Sequence, residues 1–501
     1  MEVSVGLLRS PERVLLYLVI LYSAFTIIKR LFRVLFSPLN KLPGPAWARI
    51  TSLPIVLKVI TGKRAQELDI LHKKYGSVVR IGPNEVSVGD YRYYRPIYND
   101  SKSTTKDTDF YSIANFVGKS NIFQMTNPAQ HSARRRLSAA PYSLQGITLL
   151  SPLIRRKAED LARNLLKRAT ESPNGTADAF ELSGLYSLEV ICEAGFAMDL
   201  SAMGGDLGLK LMHAMDGSAQ TLMFTSTVPW LRSTGLGKRL PGHVGACYRK
   251  DAYWQQKSRE MVDHFLRASF TGASTEKNLL APLLHGTDSF LGRKLTYEEL
   301  VEEAMGIMFA GSGTTSATLT YMLYALSCPE NEGIQVTLRD EVMRLPPNDI
   351  VAVRNCPYLN AVIKETFRLF PTIISTLPRL LGEPLQLGEY ILPAGTVVGM
   401  QNYVHHRDSS VFPKPERFYP ERWLTSTKEM DMSLTPFSLG RRNCIGQNLA
   451  FEELYVAIEV IMRSGLVLRL GKEMENWEMG MEDRFNIAPK GRRLMLEVVE
   501  E

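Results

Sequence analysis

Ten residues, Phe437 to Gly446, read FSLGRRNCIG and place one cysteine, Cys444, among two glycines and two arginines. An apolar, helix-forming run follows from Ile445 to about Ile461. A thiolate just ahead of a helix is stabilised by the amides and dipole of its first turn, so this cysteine is a candidate metal ligand. Gly440 and Gly446 let the backbone turn sharply or approach a flat ligand. Arg442 presents a fixed fork of donors suited to a carboxylate. A lone cysteine is ordinarily a buried apolar residue. The spacing F-x-x-G-x-R-x-C-x-G, filled by Phe437, Gly440, Arg442, Cys444 and Gly446, sets this one apart.

Three other stretches carry chemistry-bearing types. Thr296 and Glu299 form a capping box that opens a helix running to about Leu326, roughly 45 Å long. Its centre, Ala310 to Thr315, reads AGSGTT. Glycines in mid-helix cost up to about 1 kcal/mol each, so the helix needs either a close crossing or backbone approach at Gly311 and Gly313. Downstream, PYLNAVIKETFRLFP puts Leu359, Val362, Ile363, Thr366, Phe367 and Phe370 on one face. Glu365 and Arg368 lie away from that face, one turn apart, and read in isolation as a surface pair. In HSARRRLSAAPY, His131 and Arg135 share a helix face four residues apart, while three consecutive arginines suggest a solvated basic surface.

The elements that must position these residues read as follows. Val14 to Ile28 carries no charge, and Lys29, Arg30 and Arg33 follow it. At about 1.5 Å per residue the run spans roughly 22 Å, short of a bilayer core of about 30 Å. With no cleavage site evident, residues 1–40 are expected to be a retained membrane helix, with the following domain on the cytoplasmic side. KLPGP, Lys41 to Pro45, makes a stiff hinge into a domain spanning 41–501. GSVVRIGPNEVSV reads as a strand hairpin. Asn99 to Asn127 reads as a long functional loop, Ser151 to about Val190 as amphipathic helix, and Gly204 to Gly245 as a breaker-rich connection containing Pro229, Gly235, Gly237 and Pro241. Ile373, Ile374 and Leu377 are candidates to line an apolar pocket.

Five scattered cysteines, none in a C-x-x-C pair, exclude a disulfide framework or zinc site and point to a reducing compartment. A net charge of +7 without a long basic run gives no sign of nucleic acid and suits an anionic membrane surface or acidic partner. His406-Arg407-Asp408 spells a kinase triplet, but Pro413 stands where a kinase needs asparagine. P-loop, H-E-x-x-H and dinucleotide-binding fingerprints do not occur.

In this order the motifs resemble the cytochrome P450 superfamily, most closely microsomal members, and AGSGTT is similar to the variant in fungal secondary-metabolism enzymes. The resemblance implies a mainly α-helical fold with a small β-rich lobe, plus the N-terminal membrane helix. It implies haem b on the Cys444 thiolate, which favours O–O cleavage. Arg442, Arg135, His131 and Arg379 would hold the propionates, with Phe437, Gly440 and Gly446 shaping the loop. Gly311, Thr314 and Thr315 would face bound oxygen, Thr314 steering protons. Where the family has an acid immediately before that threonine, this sequence has Gly313. Glu365, Arg368 and Arg422, the last from Pro420-Glu421-Arg422-Trp423, would form one structural network. The implied activity is insertion of one oxygen atom into an apolar small molecule in secondary-metabolite biosynthesis, at the endoplasmic reticulum membrane. Electrons would come from NADPH through a separate reductase docking near the cysteine side, with a b-type cytochrome as a further partner. Two alternatives remain beside it: a haem-thiolate isomerase or dehydratase that needs no reductase, and a non-catalytic haem- or lipid-binding membrane protein.

Overall fold

The computed structural model describes residues 11–99, 103–203, 206–228, 230–271 and 277–500. Its first helix, α1, runs from Pro11 to Phe36 and exposes Leu15, Leu16, Leu18, Leu21 and Phe25. The expected membrane-crossing helix is not borne out: no helix among the described residues is long and apolar enough to cross a membrane. Glu12 and Arg13 close the uncharged run at one end and Lys29 and Arg30 at the other, which leaves it too short. The side chains of Lys29, Arg30 and Arg33 lie outside the described set, as do Arg9, Gly204 and Pro229. Asn40 donates to the Val34 and Leu35 carbonyl oxygens, and Arg80 donates to Asn40, so the end of α1 is tied to the domain that follows.

Among the helices that follow are α2 (Leu53–Ile60), α3 (Pro128–Ser138), α4 (Ser151–Glu171) and α5 (Ala179–Phe196). The single amphipathic helix expected over 151–190 is therefore two. Ser172, Pro173, Asn174 and Gly175 intervene, Gly175 has φ +68°, and a short strand, Thr176–Asp178, separates them. The Asp178 carboxylate then caps α5 by accepting from the Phe180 and Glu181 amides.

The region expected to be a broken connection holds a 21-residue helix, α6 (Leu207–Thr227). Its internal Gly217 is a packing site, since a Cβ there would lie 2.7 Å from Lys250 Cδ on α7 (Gly242–Phe270). The long helix α8 is Tyr297–Ser327, with the expected Thr296–Glu299 capping box. It runs through the main core beside α5, α9 (Pro357–Leu369) and α10 (Gln447–Arg463).

The strands are β1 (Val78–Gly82), β2 (Glu85–Val88), β3 (Thr104–Lys106), β4 (Thr176–Asp178), β5 (Arg379–Leu381), β6 (Leu385–Leu387), β7 (Tyr390–Leu392), β8 (Val397–Met400), β9 (Leu466–Leu470), β10 (Met481–Arg484), β11 (Asn486–Pro489) and β12 (Met495–Glu500). The β1–β2 hairpin forms as expected and opens a five-stranded sheet ordered β1-β2-β8-β5-β3, in which β2 and β8 run parallel. Strand β3 lies inside the stretch expected to be loop. Its pairing with β5 places Lys106 opposite Arg379. The β10–β11 hairpin turns at Phe485, φ +81°, and packs on α8.

Candidate active site

The cysteine loop is held from four sides. The Cys444 amide donates to the Phe437 carbonyl at 2.9 Å, closing the loop on itself. The Phe437 ring packs at 5.2 Å against both Phe367 of α9 and Phe451 of α10. Gly440 has φ +71°, and a Cβ there would lie 2.5 Å from Asn99 Oδ1 and 2.8 Å from Asn99 Cα, so only glycine suits the position. Arg442 donates to the Met125 and Thr126 carbonyl oxygens at 2.5 and 2.9 Å, joining the loop to the segment before α3.

Cys444 is exposed, yet enough protein surrounds its sulfur that burial raises its thiol pKa. The Gly446 amide and the Arg135 charge pull the other way. Position ahead of a helix alone does not favour the thiolate as the sequence reading supposed, because desolvation outweighs it. Metal coordination would reverse that balance, since a metal ligand must be deprotonated.

Positive charge converges beside this loop. His131, Arg379 and Lys106 are buried, and Arg442 is half-buried. Burial, reinforced by Arg442, Lys106, Arg135 and Arg379, drives the His131 pKa down to about 3. Burial and Arg379 lower Arg442 to about 10, and burial with Arg379 and Arg442 holds Lys106 well below the usual lysine range. Arg379 donates to the Tyr111 hydroxyl at 3.0 Å and lies over the Tyr98 ring. Lys106 donates to the Phe123 carbonyl and lies over the Tyr111 and Phe123 rings. None of Lys106, Arg379 and Arg442 has a carboxylate partner among the described residues, and His131, its pKa lowered, sits beside them as a neutral imidazole. A cluster of desolvated cations without acids is an electrostatic socket for an anion. Tyr98, Thr104, Lys106, Arg379 and Arg442 line a small cavity there.

Sequence reasoning missed Lys106. A single lysine in a polar stretch carries no spacing signal, and only the β3–β5 register brings it to Arg379. Arg135, expected at the propionates, binds Asn443 with both terminal nitrogens. Arg134 is buried and pairs with Asp288 and Glu303, and Arg135 is half-buried, so only Arg136 of the run is exposed. Burial raises Glu303 to about 7, against the lowering effect of Arg134.

The α8 notch is the other half of the site. Residues 300–305 and 317–323 are buried, whereas Ala310 is exposed and Gly311, Gly313 and Thr314 are half-buried. An exposed turn between buried ones marks open space inside the molecule. The Thr314 hydroxyl donates to the Ala310 carbonyl at 2.7 Å and keeps its lone pairs free to accept. Gly311 serves packing: a Cβ there would lie 2.5 Å from Ile191 Cδ1, and its carbonyl accepts from Ser187, both on α5. Thr315 is buried. Of the expected apolar wall, Ile374 is in the main core and Leu377 packs on the five-stranded sheet, while Ile373 is half-buried and bridges to Asn486.

Glu365 and Arg368 are not a surface pair; both are fully buried. Two bonds of 2.8 Å join them, and Glu365 also accepts from Arg422, Trp423 Nε1 and the Tyr419 amide. Arg368 spends its remaining donors on the His406, Pro415 and Arg417 carbonyl oxygens. The network pins 406–423, the segment that leads to the cysteine loop.

Fold and site together define a helix-rich enzyme class built on a loop cysteine and a notched central helix. The chain belongs to the cytochrome P450 family, whose model matches residues 43–472. It is 30% identical over 469 residues to cytochrome P450 monooxygenase hkm5 of Aspergillus hancockii, covering 89% of this chain and 88% of that protein. It is 28% identical over 472 residues to cytochrome P450 monooxygenase orf2 of Aspergillus niger, covering 93% and 94%. Retinoic acid-bound cyanobacterial CYP120A1 has a TM-score of 0.70 at 17% identity, covering 86% of this chain and 93% of that one, a likeness of fold.

Proposed function

We propose that this P450 is a reductase-dependent monooxygenase that inserts one oxygen atom from O2 into an apolar small molecule of fungal secondary metabolism. The observation that carries the reading is the pairing of an accessible, loop-held Cys444 with the socket of Lys106, Arg379 and Arg442, which have no carboxylate partner among the described residues. Both features suit haem b, whose iron would take the Cys444 thiolate and whose propionates would meet Lys106, Arg379, Arg442 and His131. When bound, haem supplies the redox chemistry with oxygen. Arg135 fixes the loop through Asn443. Thr314, with Thr315 and the Gly311 crossing behind it, presents a hydroxyl that can hold a water at the notch. Electrons would come from NADPH through a separate flavoprotein reductase, with a b-type cytochrome as a further donor.

The fungal relatives named as monooxygenases support the reaction class. Gly313, which removes the carboxylate expected beside Thr314, favours a second reading, an isomerase or dehydratase needing no reductase. Labelled dioxygen separates the two. Label in the product, only with reductase and NADPH present, is the expected result; unlabelled product formed without them would overturn it.

Residues 1–40 are proposed to hold the protein at the endoplasmic reticulum membrane, catalytic domain in the cytoplasm. Supporting this, α1 and α2 both expose apolar side chains, including Leu53, Val56, Leu57 and Ile60 on α2. Deleting residues 1–36 should leave haem content intact and release the protein from carbonate-washed membranes; unchanged retention would refute α1 as the anchor.

A further inference from the structure

A cavity of about 110 Å³ lies beside Gly313, between α5, α6, α8 and the β10–β11 hairpin. It has room for a few waters at about 30 Å³ each. Gly313 opens onto it, and an added Cβ would lie 3.1 Å from Asn486 Nδ2, which donates to the Gly313 carbonyl at 3.3 Å. Ser312 and Ser316 also line it, but their hydroxyls donate to the Met308 and Gly313 carbonyl oxygens. Among the described residues the one carboxylate in the lining is Asp216, which reaches in from α6.

Asp216 is held firmly. Arg492 and Arg484 pair with its Oδ1 at 3.2 and 3.6 Å, and Gln220 Nε2 donates to its Oδ2 at 3.0 Å. Its side chain is nevertheless 41% exposed, so solvent reaches it. Arg484 and Arg492 also pair with Glu482, at 2.8 and 3.3 Å, and keep a carboxylate partner if Asp216 is neutralised.

We propose that Asp216 supplies, from a neighbouring helix, the carboxylate that α8 lacks at Gly313. This rests on the oxygen-activating reading above. The Asp216 carboxylate accepts a proton from solvent on its exposed side and passes it to a cavity water, a proton of that water moves on toward the notch, and the carboxylate is left as it began. No group is consumed. Asp216 is thus a proton-supplying residue that acts through water, and Gly313 leaves the space in which that water sits. An acid at both positions would set like charges around one cavity, so the two placements are alternatives.

Full-length holoproteins carrying Asp216→Asn, Gly313→Asp and both changes test this in two ways. The first readout is the melting temperature. Gly313→Asp should lower it in the parent and less, or not at all, in the Asp216→Asn background. Equal shifts in both backgrounds would overturn the shared charge site. The second readout is NADPH oxidation with reductase in light and heavy water. Asp216→Asn should slow it by about 10- to 100-fold and enlarge the solvent isotope effect. Adding Gly313→Asp to that variant should restore the rate, which a merely structural role for Asp216 would not allow. A parent-like rate in Asp216→Asn, or no recovery in the double variant, would overturn the inference. A parent protein that oxidises no NADPH with reductase would strike the proposed function instead, and the melting comparison would still decide this one.

Discussion

Arg135 donates from its two terminal nitrogens to the carbonyl oxygen and Oδ1 of Asn443, each at 2.6 Å. Asn443 immediately precedes Cys444, so α3 grips the backbone that aims the sulfur. Arg135 also lowers the Cys444 pKa against the effect of burial. Arg135→Ala should therefore act twice, loosening the loop and disfavouring the thiolate. Two charge-assisted bonds of this kind contribute about 1–3 kcal/mol. Urea unfolding of the holoprotein should show a loss in that range, with a greater share of haem in a non-thiolate spectral form. Unchanged stability and spectrum would remove Arg135 from the loop's support.

Glu365→Ala should be more damaging. It strands Arg368, fully buried, and removes the acceptor for Arg422 and Trp423. Breaking a buried pair from one side costs about 3–5 kcal/mol. Haem content and the unfolding midpoint should both fall, and the Glu365→Ala/Arg368→Ala double variant should cost less than the sum of the single changes. Full haem incorporation in Glu365→Ala would contradict the network.

The buried histidine pair predicts acid sensitivity. His405 Nε2 and Thr435 Oγ1 are 3.0 Å apart, and His406 Nε2 accepts from the Thr435 amide. Burial lowers His405 to about 3 from an ordinary 6.5, and burial with His405 holds His406 well below that ordinary value. The unfolded chain therefore takes up protons that the folded chain refuses. Their contribution is fully present above about pH 6.5 and is lost as pH falls toward about 3, by up to about 1.4 kcal/mol per pH unit for each group. Unfolding free energy measured across that window should fall with acidity, and His405→Gln should flatten the slope. A parent slope unchanged by His405→Gln would contradict the assignment.

What could be read in the sequence was chemistry held within one turn or one loop. The cysteine loop, the Thr296–Glu299 box and the Glu365–Arg368 pair are local patterns, and each forms where its spacing places it. What could not be read depends on partners far along the chain. Arg134 looks solvated until Asp288 and Glu303 close on it from more than 150 residues away. Lys106 gains its place from a strand pairing with Arg379, and Gly311 owes its lack of a side chain to Ile191. Helix α6 forms despite Gly208 and Gly217 because packing overrides propensity where Lys250 crosses. The motifs thus marked the site, and tertiary contacts decided how its side chains are partnered.

The central claim is that Cys444 binds the haem iron, and the reduced, carbon monoxide-bound spectrum tests it most directly. The parent protein should give a thiolate-type spectrum, and Cys444→His should retain haem but lose that spectral type. A thiolate-type spectrum that survives Cys444→His unchanged would contradict the account.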